Sequence, residues 1–247
     1  MRVAALYDIH GNLPALEAVL EDVRLAEVDR VVVGGDVMPG PMPKDVLRRL
    51  LRLDAPVQFI QGNGEVAVLA ERAGRPSGVP ERFRDVVQWG GRQLDPEDEA
   101  LIATWPKTLS LSIDDLGRVL FCHATPRSDT EVFTRLTPED RLRPVFDPID
   151  ARIVVCGHSH MQFDRMVGRV RVVNAGSVGM PFCEPGAYWL LLDSEVRLRR
   201  TVYDLDEAAA RIRATAYPHA EEFAERNVLH PPSERSMLEA YAGIELK

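Results

Sequence analysis

Ile153-Val154-Val155-Cys156-Gly157-His158-Ser159-His160 joins a short apolar run to a glycine turn and two histidines. Four consecutive apolar residues are typical of a buried strand, and Gly157 permits a sharp turn where that strand ends. The turn would place both imidazoles on a loop at the carboxyl end of the strand. Imidazole binds Zn, Fe or Mn ions when other nitrogen or oxygen ligands join it, although two loop histidines are more often solvated.

The same arrangement, an apolar run followed by polar side chains, recurs along the chain. The other runs are Val3–Tyr7, Val31–Val33, Val57–Ile60 and Val119–Cys122, and the polar residues that follow them are Asp8, His10, Asp36, Asn63 and His123. Amphipathic helical patterns separate the first three runs. Parallel βαβ units produce this order and gather the carboxyl ends of their strands at one edge. The sequence therefore predicts an α/β fold in which these polar side chains lie close together.

The remaining patterns predict one domain over residues 1–247. A helical insertion is expected at about 65–105, between sheet strands and placed to cover the site, and a C-terminal helical segment at about 205–247. Late antiparallel strands are predicted at Val167–Val173, Tyr188–Leu192 and Val196–Val202, and C-terminal helices at Asp206–Ala216 and Ser233–Tyr241.

Composition narrows the classes of partner. The 247 residues are 45% hydrophobic and 28% charged, with a net charge of -8. A net negative chain without a basic block is not expected to bind nucleic acid stably or to adsorb to an anionic membrane. No stretch approaches membrane-spanning length. The 3 cysteines have no paired spacing, which predicts free thiols and a cytoplasmic location.

The polar residues at the strand ends form a plausible ligand set for two metal ions. Two ions with four protein contacts each need about eight contacts, which seven residues supply when one carboxylate bridges. Asp36 is the candidate bridge, because it is central in the order and follows a glycine turn. One division assigns Asp8, His10, Asp36 and His160 to one ion and Asp36, Asn63, His123 and His158 to the other.

Each of these residues also has a simpler structural interpretation. Asp8 alone would be a capping residue, His123 a satisfied core histidine, and Asn63 a turn residue between two glycines. The set taken together favours a metal site over coincidence. Arg127, close to His123 in the chain, either contacts a substrate phosphate or is simply solvated.

The motifs Asp-x-His, Gly-Asp, Gly-Asn, a lone His after a strand, and Gly-His-x-His occur in this order and resemble the calcineurin-like metallophosphoesterase superfamily. The resemblance covers about residues 1–205. The run Asn174–Gly179 is similar to the Asn-Pro-Gly-Ser-Val-Gly run of the small bacterial and archaeal phosphodiesterase branch, with Ala175 in place of proline. The resemblance implies a four-layer α/β/β/α sandwich of two mixed sheets, and it implies the same division of ligands between two ions.

The resemblance also implies an activity. A metal-bridging hydroxide would hydrolyse phosphoesters, with phosphodiesters as the expected substrates. Asp36, Asn63 and His123 would be the catalytic residues, and Asn63 and Arg127 would contact the substrate. The expected cofactors are two divalent transition-metal ions, Mn first and Fe, Zn or Ni as alternatives, and the expected partner is a small phosphoester. The alternatives are a non-catalytic metal-binding or scaffold protein of the same fold, or a phosphomonoesterase or nucleotide phosphatase. A second copy of the chain, in a homo-oligomer, is a further possible partner.

One position departs from the family pattern. The family commonly has a histidine after the Gly-Asn pair, and this chain has Gly64 there. The missing imidazole predicts slow hydrolysis of esters with poor leaving groups, because no side chain at this position can donate a proton. It also predicts open space beside the metal ions.

Overall fold

The computed structural model describes residues 1–246. Its strands are β1 (Val3–Leu6), β2 (Arg30–Val33), β3 (Val57–Phe59), β4 (Thr108–Ile113), β5 (Gly117–Cys122), β6 (Ile153–Cys156), β7 (Phe163–Val167), β8 (Val170–Asn174), β9 (Ala187–Leu192) and β10 (Val196–Thr201). Its α-helices are α1 (Leu13–Leu25), α2 (Pro43–Leu51), α3 (Asn63–Arg72), α4 (Arg84–Gln93), α5 (Pro96–Ala103), α6 (Glu139–Phe146), α7 (Leu205–Arg213), α8 (Ala220–Phe223) and α9 (Glu234–Tyr241). A 3₁₀ turn precedes α4 at Glu81–Phe83, and a π-helix follows α8 at Ala224–Leu229.

The strands form two mixed sheets of five strands each. The first sheet has the order β10-β9-β1-β2-β3, and the second has the order β4-β5-β6-β8-β7. In the first sheet β1, β2 and β3 are parallel, while β9 and β10 pair antiparallel. In the second sheet β5, β6 and β8 are parallel, with β4 and β7 antiparallel at the edges. The predicted fold class is confirmed.

The two sheets pack face to face, with helices on both outer faces. Side chains alternate across a strand, so Val3 and Ala5 of β1 face the second sheet, where they join a buried cluster with Phe121 and Val155. Ala4 and Leu6 face the opposite way, into a cluster formed with most of the helices. Helix α6 covers the outer face of the second sheet. The layers are therefore helices, sheet, sheet and helix.

The structure corrects one strand prediction. Val167–Val173 is not a single strand, because Gly168 adopts a φ of 55° in a turn that joins β7 to β8. An apolar count alone does not register such a turn, since valines lie on both sides of it. The hairpin leaves β8 parallel to β6 and antiparallel only to β7.

The helical segments also differ in detail from the predictions. Helices α3, α4 and α5 lie where the insertion is predicted, and the loop at residues 73–80 follows α3. Helix α3 has 10 residues and begins at Asn63, so its far end lies about 15 Å from Asn63. The helical turns at 220–229 lie inside the predicted C-terminal helical segment, between the two helices predicted there. None of the helices within residues 1–246 has both the length and the apolar character needed to cross a membrane.

Candidate metal centre

The carboxyl ends of the parallel strands of both sheets meet at one edge of the sandwich. Backbone hydrogen bonds join the loops that follow these strands. The nitrogen of His10 donates to the carbonyl of Asp36 at 2.9 Å, and that of Gly157 donates to the carbonyl of His123 at 2.8 Å. A third bond crosses between loops from Gly179 to the carbonyl of Asp8 at 3.0 Å. These bonds hold the loops as one unit.

Most of the predicted ligands have a left-handed backbone conformation. The φ angles are 53° at Asp8, 47° at His10, 53° at Asp36, 64° at His158 and 59° at His160. Residues with a Cβ avoid this region, and each one costs of order 1–3 kcal/mol unless the surroundings enforce it. Five such residues at one edge of the sheets indicate that the fold holds these side chains in a functional arrangement.

The structure brings the predicted acidic and imidazole ligands together in two neighbouring groups. The first group is Asp8, His10 and His160, and the second is Asp36, His123 and His158. Within each group one possible ligand atom per residue lies within 4.8 Å of the others. Apart from the shared Asp36 and the amide of Asn63, this is the division predicted from the sequence.

Asp36 lies between the two groups. Its Oδ2 atom is 3.6 Å from Nε2 of His10 and 3.5 Å from Nε2 of His123, one imidazole of each group. The Oδ1 atom of Asp8 is 3.4 Å from Nε2 of His160, but it is also 3.8 Å from that of His123. Both carboxylates therefore reach both groups, and Asp36 makes the shorter approach to His123.

Backbone carbonyls orient the imidazoles. The Nδ1 atom of His10 bonds to the carbonyl of Pro39 at 3.2 Å, that of His123 to Gly34 at 2.9 Å, and that of His160 to Met180 at 2.7 Å. An Nδ1–H that donates to a carbonyl leaves Nε2 with its lone pair, the usual arrangement of a metal-binding histidine. His158 is reversed, since its Nε2 bonds to the carbonyl of Thr130 at 3.2 Å and its Nδ1 is left for an ion.

The donor set fits divalent transition-metal ions. Asp8 is fully buried, and its Oδ1 has no hydrogen-bond partner among residues 1–246, although its Oδ2 accepts from the nitrogen of His158 at 2.8 Å. Unpartnered buried carboxylate oxygens are costly. The Nε2 atoms of His10 and His160 lie 3.3 Å apart. Two nitrogens bound about 2.1 Å from one ion would have a separation of about this size.

Charge interactions among these buried groups shift their pKa values in opposite directions. Burial opposes ionisation of Asp36, but the nearby His123 outweighs it and holds the pKa of Asp36 well below its usual range. Burial lowers the pKa of His123, but Asp36 and Asp8 outweigh it and raise that pKa to about 10. Burial and the charge of His123 lower the pKa of His158 to about 4. Without an ion, His123 carries the positive charge that balances the carboxylates.

Asn63 joins the cluster and Arg127 does not. The Oδ1 atom of Asn63 lies 3.0 Å from Nε2 of His123 and accepts a hydrogen bond from it when that imidazole is protonated. Asn63 is the first residue of α3, so it is helical and not the positive-φ turn residue of the simpler interpretation. Arg127 is 53% exposed and pairs with Glu131 at 2.6 Å. A contact between Arg127 and a substrate phosphate stays a prediction.

Gly64 does not leave open space beside the centre. A Cβ at this buried position would overlap the carbonyl oxygen of Met38 and approach Oδ1 of Asp36 to 2.9 Å. The backbone nitrogen of Gly64 donates to that same Oδ1 at 2.7 Å. The expected empty space is therefore wrong, since backbone and carboxylate atoms fill it, and glycine is required for their close approach.

Glu65 is a positioning residue that the sequence analysis missed. Its buried carboxylate accepts hydrogen bonds from the backbone nitrogens of Asp36 at 2.9 Å, Val37 at 2.7 Å and Gly62 at 2.8 Å, with a longer one from Met38 at 3.2 Å. Burial and the charge of Asp36 raise the pKa of Glu65 to about 7, against the effect of these N–H groups. A glutamate at the third position of a helix is a capping signal that could have identified it.

The run Asn174–Gly179 donates side-chain hydrogen bonds to the loops that carry the ligands. The side-chain amide of Asn174 donates to the carbonyl of Gly157 at 2.6 Å, and the hydroxyl of Ser177 donates to the carbonyl of Asp8 at 2.7 Å. The hydroxyl of Ser177 is thus committed to the backbone of a ligand loop.

Comparisons with known proteins place this arrangement in a family. At 25% identity the chain matches an uncharacterised protein of Methanocaldococcus jannaschii, over 87% of this chain and 93% of that protein. At 32% identity it matches a symmetrical bis(5'-nucleosyl)-tetraphosphatase of Yersinia pestis, over 50% of this chain and 43% of that protein.

Solved structures share the fold. A hypothetical protein of Pyrococcus horikoshii has a TM-score of 0.80 at 21% identity, with 94% of this chain and 99% of that chain covered. A metallophosphoesterase of Sphaerobacter thermophilus has a TM-score of 0.72 at 24% identity, with 91% and 97% covered. The model of the calcineurin-like phosphoesterase superfamily domain matches residues 1–196. The chain therefore belongs to the calcineurin-like phosphoesterase superfamily.

Proposed function

We propose that this protein hydrolyses phosphodiesters at a centre of two divalent transition-metal ions. The observation that carries the proposal is the pair of adjacent ligand groups, in which backbone carbonyls turn three imidazole Nε2 atoms toward Asp8 and Asp36. Bound ions would supply Lewis-acid chemistry at this position, by polarising phosphoryl oxygens and lowering the pKa of water. The similarity to a bis(5'-nucleosyl)-tetraphosphatase over half of the chain supports a phosphorus-containing substrate.

The residues of the chain would perform three tasks in this reaction. Asp8, His10 and His160 would hold one ion, His123, His158 and Asn63 the other, and Asp36 both. The Nδ2 atom of Asn63 would donate to a phosphoryl oxygen. The buried loops beneath would keep the ligands fixed during turnover, because their backbone groups bond to one another. Mn is the proposed ion, with Fe, Zn or Ni as alternatives.

Two variants test the dinuclear centre. Asp36→Asn should weaken both ions and lower hydrolysis of bis(p-nitrophenyl) phosphate by at least about 10²-fold, because a bridging carboxylate serves both sites. Asp8→Asn should mainly deplete one ion. Metal analysis of the purified proteins and assays with added Mn, with and without a chelator, measure these effects.

Each alternative has its own outcome. Full occupancy and an unchanged rate in Asp36→Asn would rule out the shared-ligand centre. A fully loaded wild-type protein that cleaves no phosphoester would indicate a metal-binding scaffold. Preferential cleavage of p-nitrophenyl phosphate over the diester would indicate a phosphomonoesterase.

A further inference from the structure

Two aromatic side chains lie beside the candidate metal centre and outside the core. The ring of Phe182 stacks on the imidazole of His160, with a centroid separation of 4.6 Å and an interplanar angle of 27°. The ring of Tyr241 lies beyond it, 6.5 Å from that of Phe182. Both side chains are half-buried. Neither belongs to the three hydrophobic clusters formed by the described residues. Core packing therefore does not account for this pair.

Tyr241 reaches this position because the C-terminal strap, residues 233–246, is anchored at both ends. At its start, Glu234 pairs with Arg135 at 2.8 Å. At its end, Glu245 accepts from the hydroxyl of Thr137 at 2.9 Å, and the nitrogen of Leu246 donates to the carbonyl of Val132 at 2.8 Å. Helix α9, which forms most of the strap, contributes no buried side chain. Polar anchors thus place the strap, with Leu246 as its one residue packed against a hydrophobic cluster of the described chain.

The segment that anchors the strap also touches the ligand set. The carbonyl of Thr130 bonds to Nε2 of His158, and the anchors at Val132, Arg135 and Thr137 follow within a few residues. The strap therefore reaches the first ligand group through Phe182, while the segment that anchors it bonds to His158 of the second group. Burial and, to a smaller extent, the charge of Asp8 raise the pKa of Tyr241. Its phenol is accordingly neutral and can donate a hydrogen bond.

We propose that Phe182 and Tyr241 form an aromatic subsite for a planar ring, a nucleobase or an aryl group, carried by the group that stays on phosphorus when an ester is cleaved at the candidate metal centre. The proposal rests on the proposed function. Aromatic side chains hold planar rings by stacking and tolerate different bases, because every base has a π-face. The hydroxyl of Tyr241 adds a donor for a polar edge of the ring or its sugar. An alkyl ester group offers neither a face nor such an edge.

Two diesters with the same leaving group isolate this contact. Thymidine 5'-(p-nitrophenyl) phosphate and methyl p-nitrophenyl phosphate both release p-nitrophenolate and differ in the group that stays on phosphorus. Phe182→Leu and Tyr241→Leu should each lower kcat/KM for the thymidine ester by about tenfold and leave the methyl ester within about twofold, as expected for loss of one stacking contact. Phe83→Leu is the matched control, since Phe83 is an exposed aromatic residue, 46% accessible, on the turn before α4.

The outcomes separate the subsite from a structural role. Equal decreases in kcat/KM for both diesters would show that the aromatic pair only supports His160. Unchanged kcat/KM for both would show that the pair does not contact the substrate. Both results overturn the proposal. If Mn-loaded wild-type protein cleaves neither diester, the proposed function fails. The subsite is then tested separately, by measuring ligand binding. Calorimetry should then show that Mn-loaded protein binds thymidine 5'-monophosphate about tenfold more tightly than methyl phosphate, with that margin lost in Tyr241→Leu. Equal affinities in the wild type would overturn the subsite.

Discussion

At the scale of single residues, His123 controls the charge of the candidate metal centre. Its Nδ1 bonds to the carbonyl of Gly34, and its Nε2 lies 3.5 Å from Asp36 and 3.0 Å from Asn63. Asp36 and Asp8 outweigh the effect of burial and raise its pKa to about 10, so the imidazole is protonated at neutral pH in the metal-free protein. An ion bound through Nε2 must displace that proton.

Metal binding should therefore release a proton and strengthen with pH. Because the pKa of His123 is raised to about 10, the proton is still present between pH 7 and pH 9 and opposes metal binding there. Affinity for the ion held by His123, His158 and Asn63 should therefore rise about tenfold per pH unit between about pH 7 and pH 9. Calorimetry of Mn binding in two buffers with different ionisation enthalpies measures the proton count. A binding heat that does not depend on the buffer would contradict the assignment of His123.

A substitution at Gly64 tests how tightly the first turn of α3 packs against the loop that carries Asp36. Gly64→Ala should lower the free energy of unfolding by about 1–3 kcal/mol or more, because its Cβ would overlap the carbonyl of Met38. Gly90→Ala is the control, since its Cβ would meet Pro39 and Val68 at an ordinary 3.4 Å inside α4. That variant should be neutral or more stable by up to about 1 kcal/mol. Equal stability of the two variants in denaturant unfolding would show that the loop relaxes around Gly64.

At the scale of elements, the first turn of α3 connects the helical insertion to the candidate metal centre. Asn63 at its first position contacts His123, and Glu65 at its third position binds the backbone of the Asp36 loop. One helical turn therefore positions both the Asn63 amide and the loop that carries Asp36, the proposed bridging ligand. Its geometry follows from the reciprocal half of a capping box, in which the carboxylate of Glu65 accepts from the backbone nitrogen of Gly62 at the N-cap.

Glu65→Gln should be strongly destabilising. One carboxylate oxygen accepts from Asp36 and Gly62, and the other from Val37 and Met38. An amide NH₂ in place of either oxygen would face two N–H donors, which should cost about 2–4 kcal/mol of unfolding free energy. Glu97→Gln, at an exposed position in the first turn of α5, should change it by less than about 0.5 kcal/mol. Similar unfolding midpoints for the two variants would contradict the positioning role.

The difference between local and distant contacts explains what could be predicted from the sequence. Strand ends such as those before Asp8, Asp36 and His158 carry local signals, an apolar run and then a glycine or a turn, so the ligand set and the fold class followed from the residues and the resemblance. The filled space at Gly64 depends on Met38, in a separate loop. The contact of Tyr241 with Phe182 joins different elements, and no periodic pattern encodes it.

At the scale of the whole molecule, the two sheets and the strap have different roles. The sandwich brings ligands from both sheets to one edge, and backbone bonds join the loops that carry them. The strap crosses beside that edge and depends on ion pairs and hydrogen bonds with residues about a hundred positions earlier in the chain. The same metal centre could therefore serve different substrates if the strap were altered.

Removing the strap should separate metal binding from substrate choice. A variant that ends at Pro232 lacks Tyr241 but keeps both ligand groups and nearly all of the three hydrophobic clusters, which lose only the partly buried Leu246. Since α9 contributes no buried side chain, the melting temperature should fall by only a few degrees, about 2–4 °C for 1 kcal/mol in a protein of this size. Metal content should stay unchanged, and the preference for the thymidine ester over the methyl ester should fall by about tenfold.

Glu245→Gln, which weakens a single anchor to Thr137 and Arg141, should produce a smaller shift in the same direction. A truncated protein that loses its metal would make the strap part of the scaffold, and one that keeps the full preference would place substrate selection elsewhere on the sandwich.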